Sequence, residues 1–226
     1  MIATTIAMDF CQTVTPSEIA TVIDSYARGW FLMADEDSSD LGWYRSRDRC
    51  LMPLDNRFRY PRSLRRVLNQ QRFEFAISRD FLGTIAGCAD RPSTWISDEL
   101  AEIYQQLQRY GWALSWEAWQ GDRLVGGILG VAIGSLFIGE SMFYHEPEAS
   151  KAALVTLVQA LQQGGWQVFD VQLTNPHLER FGSFCVSDRQ YSAQIQTAIA
   201  RPAKLVTPTG DSFASQPHSS TASDHG

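Results

Sequence analysis

Lysine is almost missing from this chain of 226 residues: Lys151 and Lys204 are the only two, and the other 17 of its 19 basic side chains are Arg. Cysteine is sparse as well. Cys11, Cys50, Cys88 and Cys185 form no CxxC pair, so their spacing supports neither a zinc site nor a disulfide framework, and a reducing cytoplasm is expected. Of four His, His218 and His225 sit in the tail, which leaves few candidates for a His-based triad. No GxxxxGK[ST] phosphate loop is present, so a nucleoside triphosphate site is unsupported. Residues 1–11 have no basic n-region and no cleavage-site pattern, so a signal peptide is not expected. Long apolar runs are also lacking. Leu124 to Gly139 is uncharged, but it contains five Gly, lies between Arg123 and Glu140, and falls short of the ~18–20 residues of a membrane span. It reads as buried central strands.

What remains is a globular composition, with 44% apolar and 19% charged residues and length for one large or two unequal domains. The formal net charge of −6 argues against indiscriminate coating of nucleic acid or membrane. The charge is unevenly spread, however. Between Arg45 and Arg79 ten Arg meet three acids, giving +7 and leaving −13 for the rest. Arginine in such density favours planar or phosphate partners.

Apolar spacing predicts a helix over 17–29, with Ser17 as N-cap and Gly29 as stop. The acidic stretch Asp35, Glu36, Asp37 and Asp40 then reads as a solvated turn or, more sharply, as a surface facing basic substrate. Pro61 opens a short helix to about Gln71. On it Arg62, Arg65 and Arg66 share one face, and Leu64, Val67 and Leu68 share the opposite one. A strand over 73–78 and a helix from Phe81 to Ala89 follow, then an amphipathic helix over 97–110. Strands near 112–118, 124–133 and 136–143, joined by short turns at Gln120–Arg123 and Gly134-Ser135, make an antiparallel meander. Ser150 is expected to cap a helix to Gln163, followed by a strand over 167–173 and a last helix over 188–200. Half of the residues from Ala203 onward are Ser, Thr, Gly or Pro, so 203–226 is expected to be disordered. The pattern is α+β with a mainly antiparallel sheet. It divides into a small N-terminal domain over 1–75, carrying the Arg-rich patch, and a second domain over 76–202.

For chemistry, Asp170 and Gln172 lie two apart on one expected strand and so share a face. A carboxylate beside an amide can orient it towards a proton-bearing group. Glu140 closes the meander strand, and such a residue is either a site group or a solvated strand end. His177, in the turn sequence Thr174 to His177, reads as a loop histidine.

The segment LVGGILGVAIGSLFIGESMF at 124–143 resembles the central signature of leucyl/phenylalanyl-tRNA–protein transferases. Supporting segments are Cys88-Ala89 with Thr94–Ile96, SWEAW at 115–119, Ala149–Lys151, and Asp170-Val171-Gln172 followed by Asn175 and His177. Upstream, Tyr26–Phe31, Leu41–Tyr44 and Arg62–Arg66 resemble the family too, so the likeness runs from about Tyr26 to Tyr191.

The resemblance implies an acetyltransferase-like (GNAT-like) second domain. It also implies transfer of Leu, Phe or Met from aminoacyl-tRNA to the N-terminal Arg or Lys of a protein, which marks it for N-end rule degradation. No ATP, metal or other cofactor is implied, because the ester to tRNA is already activated. By resemblance Asp170 polarises Gln172 towards the attacking amine, and Glu140 holds nearby polar groups or the basic acceptor. Trp43 and Trp95 contact the terminal adenosine or wall its pocket, Ile128 and Phe137 receive the transferred side chain, and Arg62, Arg65 and Arg66 contact acceptor-stem phosphates. Two other readings stand beside this one. An N-acyltransferase using acyl-CoA needs a pyrophosphate-receiving loop, which the acidic His145–Glu148 would repel. A non-catalytic RNA-binding protein would use the arginine row and leave Asp170 and Gln172 without a chemical role.

Overall fold

The computed structural model describes residues 2–4, 15–35, 38, 40–207 and 212–214; the strands at the two ends are described by backbone alone. Strand β1 (Ile2–Thr4) is followed by α1 (Pro16–Ala27), β2 (Phe31–Ala34), β3 (Leu41–Arg45) and β4 (Asp48–Met52). Next come α2 (Arg62–Asn69), β5 (Glu74–Ile77), α3 (Phe81–Ala89), α4 (Asp98–Arg109) and the meander β6 (Ala113–Gln120), β7 (Arg123–Ile133) and β8 (Leu136–Tyr144). The chain continues through α5 (Ala149–Gln163), β9 (Val168–Asp170), α6 (Pro176–Glu179), β10 (Phe184–Ser187) and α7 (Asp188–Ile199). It ends in the hairpin β11 (Lys204–Val206) and β12 (Ser212–Ala214).

Seven strands form the main sheet in the order β10-β4-β9-β8-β7-β6-β5. Every neighbouring pair is antiparallel except β8 and β9, so the mainly antiparallel α+β expectation holds. A separate three-stranded sheet has the order β1-β3-β2. The division expected at residue 75 falls within β5, and β4 from the first stretch takes a place between β9 and β10.

Side chains alternate between two cores with the strand period of two. Leu129, Val131 and Ile133 of β7 with Leu136 and Ile138 of β8 meet α1, α3, α4 and α7 on one face. Ile128, Ala132 and Phe137 meet α2 and α5 on the other. Strands covered on both faces read as a continuous apolar run, which is why 124–139 lacks charge. No helix among the described residues is long and apolar enough to cross a membrane. The SWEAW stretch is explained locally. Glu117, buried in β6, accepts from Ser115 Oγ, Trp119 Nε1 and the main-chain N–H of Arg79 and Asp80, and so pins the start of α3.

Several local expectations change. Thr15 caps α1 in a capping box with Glu18, two residues ahead of the expected Ser17, because Pro16 fits the first helical position. Glu148, at φ 73°, precedes α5 in place of Ser150 as cap, and Ser150 is buried instead. Cys50 and Cys185 face each other across β4 and β10 and are joined as a disulfide, against the expectation of free thiols. Their sequence separation of 135 hid a pairing that only strand register creates. The tail begins in order: Ala203, Leu205 and Thr207 are buried, and Trp166 Nε1 donates to the Lys204 carbonyl. Packing of Leu205 into the α5 core outweighs the polar composition around it. Residues 208–211 and 215–226 of that expected tail, Glu36 and Asp37 of the acidic turn, and Cys11 lie outside the described residues.

Candidate active site

A cavity of about 290 Å³ opens where β8 and β9 part, bounded by β2, α5, α6 and the segment carrying Trp95. Its apolar wall includes Phe31, Met33, Ile128, Leu154, Phe169 and Leu178, and its polar wall Glu140, Gln172, Ser141 and His177. A parallel pair at this point matters, because β8 and β9 both run towards the cavity and deliver Glu140 and Gln172 side by side. Trp95 is held at the rim by its carbonyl, which accepts the Ala34 main-chain N–H at 3.0 Å.

The segment around Gln172 departs from the expected strand. Strand β9 ends at Asp170, and Gln172 turns through φ 52°, the left-handed region that a non-glycine residue adopts only when its surroundings hold it there. Two contacts do so. The Gln172 N–H donates to Asp170 Oδ1 at 2.8 Å, and the Cys50 N–H donates to the Gln172 carbonyl at 3.0 Å. The carboxamide then extends to Glu140, with Nε2 donating to Oε2 at 2.9 Å.

Asp170 therefore reaches Gln172 through its main-chain N–H, not its carboxamide, which corrects the expected polarising contact. Continuing the parity of Val168, its carboxylate enters the first core, where it is fully buried. There it accepts from Arg49 Nε and Nη2 at 2.9 and 2.6 Å and from the Tyr191 hydroxyl at 2.6 Å. Glu140 stands in the opposite condition. Its Oε1 and the Tyr26 and Tyr104 hydroxyls are buried close together without completing a hydrogen bond of good geometry. Burial dominates and raises the Glu140 carboxyl from the ordinary 4.5 to about 8, although Tyr26 and Arg49 pull the other way. The neutral acid is thus the prevailing form near pH 7.

Of the residues singled out in the sequence, Glu140, Gln172, Trp95 and Ile128 come together at the cavity. Phe137 does not line it. It is fully buried behind the wall, edge-on to Phe169 at 5.2 Å, in the space left by Gly130, where an added Cβ would meet its ring at 2.3 Å. Trp43 is in the core too, 4% exposed and edge-on to Tyr26. Adjacency in sequence to a motif did not carry either ring to the surface. His177 joins the wall, half-buried. Burial, then Lys151 and Arg180, depress its basicity. Sequence reasoning missed Tyr26, Tyr104, Arg49 and Tyr191. The tyrosines lie on expected helices, and Arg49 was one of ten in a charge count.

Seven of the ten arginines of the patch fall into two groups. Arg62, Arg65 and Arg66 are exposed on α2, backed by buried Leu64, and make no ion pair among the described residues. Arg45, Arg57 and Arg79 pair with Asp188, Asp55 and Asp122, and Arg49 is buried against Asp170. No group of three His, Cys, Asp or Glu side chains among the described residues is arranged to hold a metal ion.

A sequence profile of leucyl/phenylalanyl-tRNA protein transferase matches residues 51–196. The leucyl/phenylalanyl-tRNA–protein transferase of a Nostoc species is 57% identical over 189 residues, covering 84% of this chain and 98% of its own length. Those of Synechocystis and Roseobacter denitrificans are 55% and 43% identical, covering 80% and 83% of this chain. A solved structure, that of L-PGS from Bacillus licheniformis, covers 68% of this chain and 65% of its own at 13% identity and a TM-score of 0.44, too distant to add to the assignment. The sequence matches are decisive, and the profile spans every cavity residue named above except Phe31 and Met33: this chain is an aminoacyltransferase of the leucyl/phenylalanyl-tRNA–protein transferase family.

Proposed function

We propose that the enzyme takes Leu, Phe or Met from aminoacyl-tRNA and joins it to the N-terminal Arg or Lys of cytoplasmic proteins, marking them for N-end rule degradation. The observation that carries this reading is one apolar cavity with a carboxamide fixed in its wall: Gln172, held at Nε2 by Glu140. Ile128, Leu154, Phe169 and Leu178 offer the transferred side chain a dry surface. Trp95 at the rim would stack on the terminal adenosine, as aromatic rings do with unpaired bases.

In the reaction the acceptor's α-amine attacks the ester carbonyl, a carbon–nitrogen bond forms, and the terminal ribose oxygen leaves with the electron pair and takes up a proton. With Nε2 committed to Glu140, Gln172 keeps Oε1 to accept a hydrogen bond from the amine and align its lone pair on the carbonyl. Asp170 contributes by holding the Gln172 main chain. The acidic balance outside the arginine patch suits an acceptor whose first residue is basic. Arg62, Arg65 and Arg66 form an exposed cationic row for acceptor-stem phosphates. The two-domain division and the acetyltransferase-like descent of the second domain belong to the same reading, supported by the meander leading into α5 and the parallel β8–β9 pair.

Transfer of labelled Leu from Leu-tRNA to a peptide beginning with Arg tests the proposal. Product is expected from that peptide and not from one beginning with Glu. Equal labelling of both, or product from acetyl-CoA in place of Leu-tRNA, would overturn it.

A further inference from the structure

The left-handed turn at Gln172 is a costly backbone state for a non-glycine residue, so it persists only where neighbours over-determine it. The Asp170 carboxylate is one such neighbour, and its own position depends on two residues far away in sequence. Arg49, 1% exposed, sends Nε and Nη2 to Asp170 and Nη1 to the Gly29 carbonyl at 3.1 Å. Its guanidinium lies between two rings, 4.7 Å from the Phe31 centroid and 4.8 Å from that of Tyr191. The Tyr191 hydroxyl completes the set on Asp170 Oδ2, and the Tyr191 ring packs so closely on Gly29 that a Cβ there would meet it at 2.9 Å. Each of the three guanidinium nitrogens donates a hydrogen bond, and the side chain is buried.

A buried ion pair of this kind is weak evidence of added stability, since desolvation offsets most of the attraction. Its geometric consequence is definite. Asp170 Oδ2 accepts from Arg49 Nη2 and the Tyr191 hydroxyl, and Oδ1 accepts from Arg49 Nε and the Gln172 N–H, while Cys50, next to Arg49 on β4, holds the Gln172 carbonyl. Phe31, the ring beneath the guanidinium, is itself part of the cavity wall. We infer that Arg49 and Tyr191 are positioning residues for the transfer reaction: they lock the Asp170 carboxylate where it clamps the Gln172 main chain, and so hold the Gln172 carboxamide at the cavity. The inference rests on the proposed role of Gln172.

The test uses the full-length enzyme with Leu-tRNA and an Arg-initiated peptide, comparing wild type, Tyr191→Phe, Arg49→Lys and Gln172→Ala. Tyr191→Phe keeps the ring and removes one hydrogen bond. It is expected to lower kcat roughly ten-fold, with both KM values within about two-fold, by loosening alignment of the reacting groups. Hydrogen exchange at the Gln172 amide should quicken roughly ten-fold while amides of β7 and β8 keep their protection. Arg49→Lys keeps the charge but cannot present the paired donors, so a larger kcat loss is expected. If that variant does not fold, Tyr191→Phe decides alone. Unchanged exchange at Gln172, or quicker exchange with unchanged kcat, would overturn the positioning role. So would a kcat loss accompanied by exchange across the whole sheet, which marks a purely structural defect. Full activity in Gln172→Ala would instead overturn the functional reading of the cavity, whatever the exchange shows.

Discussion

Two buried carboxylates flank the cavity on adjoining strands, Glu140 from β8 and Asp170 from β9, and their surroundings are opposite. Asp170 receives donors from Arg49, Tyr191 and the Gln172 main chain. Glu140 receives one, from the Gln172 carboxamide, and its other oxygen has none of good geometry. The first environment compensates a charge, whereas the second favours the neutral acid. Both nevertheless grip the same residue, Asp170 at its backbone and Glu140 at its side chain. One carboxyl group is thus an ion-paired anchor and the other an orienting group, and their partners decide which.

Removing the anchor should have the largest effect. Asp170→Ala leaves the Arg49 charge buried without its carboxylate, and unfolding in denaturant should show a loss of about 3–5 kcal/mol. A smaller loss would mean that water reaches Arg49. Gln172→Gly keeps the main-chain N–H that Asp170 holds and removes the carboxamide that Glu140 holds. Transfer should fall by about 100-fold or more, the usual scale for removing a positioned hydrogen-bonding group. Stability should hold or rise by up to about 1 kcal/mol, because glycine adopts φ 52° without strain. A stability drop would show that the carboxamide supports the fold.

Glu140→Gln replaces a neutral acid by a near-isostere, so stability at pH 6 should change by less than about 1 kcal/mol. Its signature is in pH dependence. The folded protein keeps a proton on Glu140 that the unfolded chain releases above about 4.5, so this contribution is full at low pH and is lost as pH rises through about 8. Arg49, Asp170, Tyr26 and Tyr104 are the groups that face it. Melting temperature of the wild type should fall from pH 5 to 8, and that slope should flatten in the variant. A slope unchanged by the substitution would assign the titration to another group. The smallest effect belongs to an arginine without a buried partner. Arg66→Ala should leave melting unchanged and reduce the log–log salt slope of tRNA binding by roughly 0.7–0.9. A slope that does not move would place the tRNA elsewhere.

Much of this architecture is legible in the chain because it rests on local rules. The meander follows from alternation and tight turns, and α3 matches its expected bounds from Phe81 to Ala89. The outward arginine row of α2 follows from helical spacing over buried Leu64. Strands β4 and β10 were not legible. They are short, irregularly patterned segments that become strands only by pairing with each other and with β9. The cavity was half legible: Glu140 and Gln172 carry its motifs, whereas Trp43 and Phe137 are aromatic residues whose burial no local pattern records.

The sequence by itself determined the family, the helices and meander, and the pair of residues, Gln172 and Glu140, that meet at the cavity. Tertiary structure decided what each polar group does there. Strand β9 stops at Asp170 and Gln172 turns left-handed because their partners arrive from elsewhere. Arg49 lies 121 residues before Asp170, and Tyr191 lies 21 residues after it. Hydrogen-bond geometry of that kind depends on ångström-scale distances between strands remote in sequence, which no local periodicity encodes.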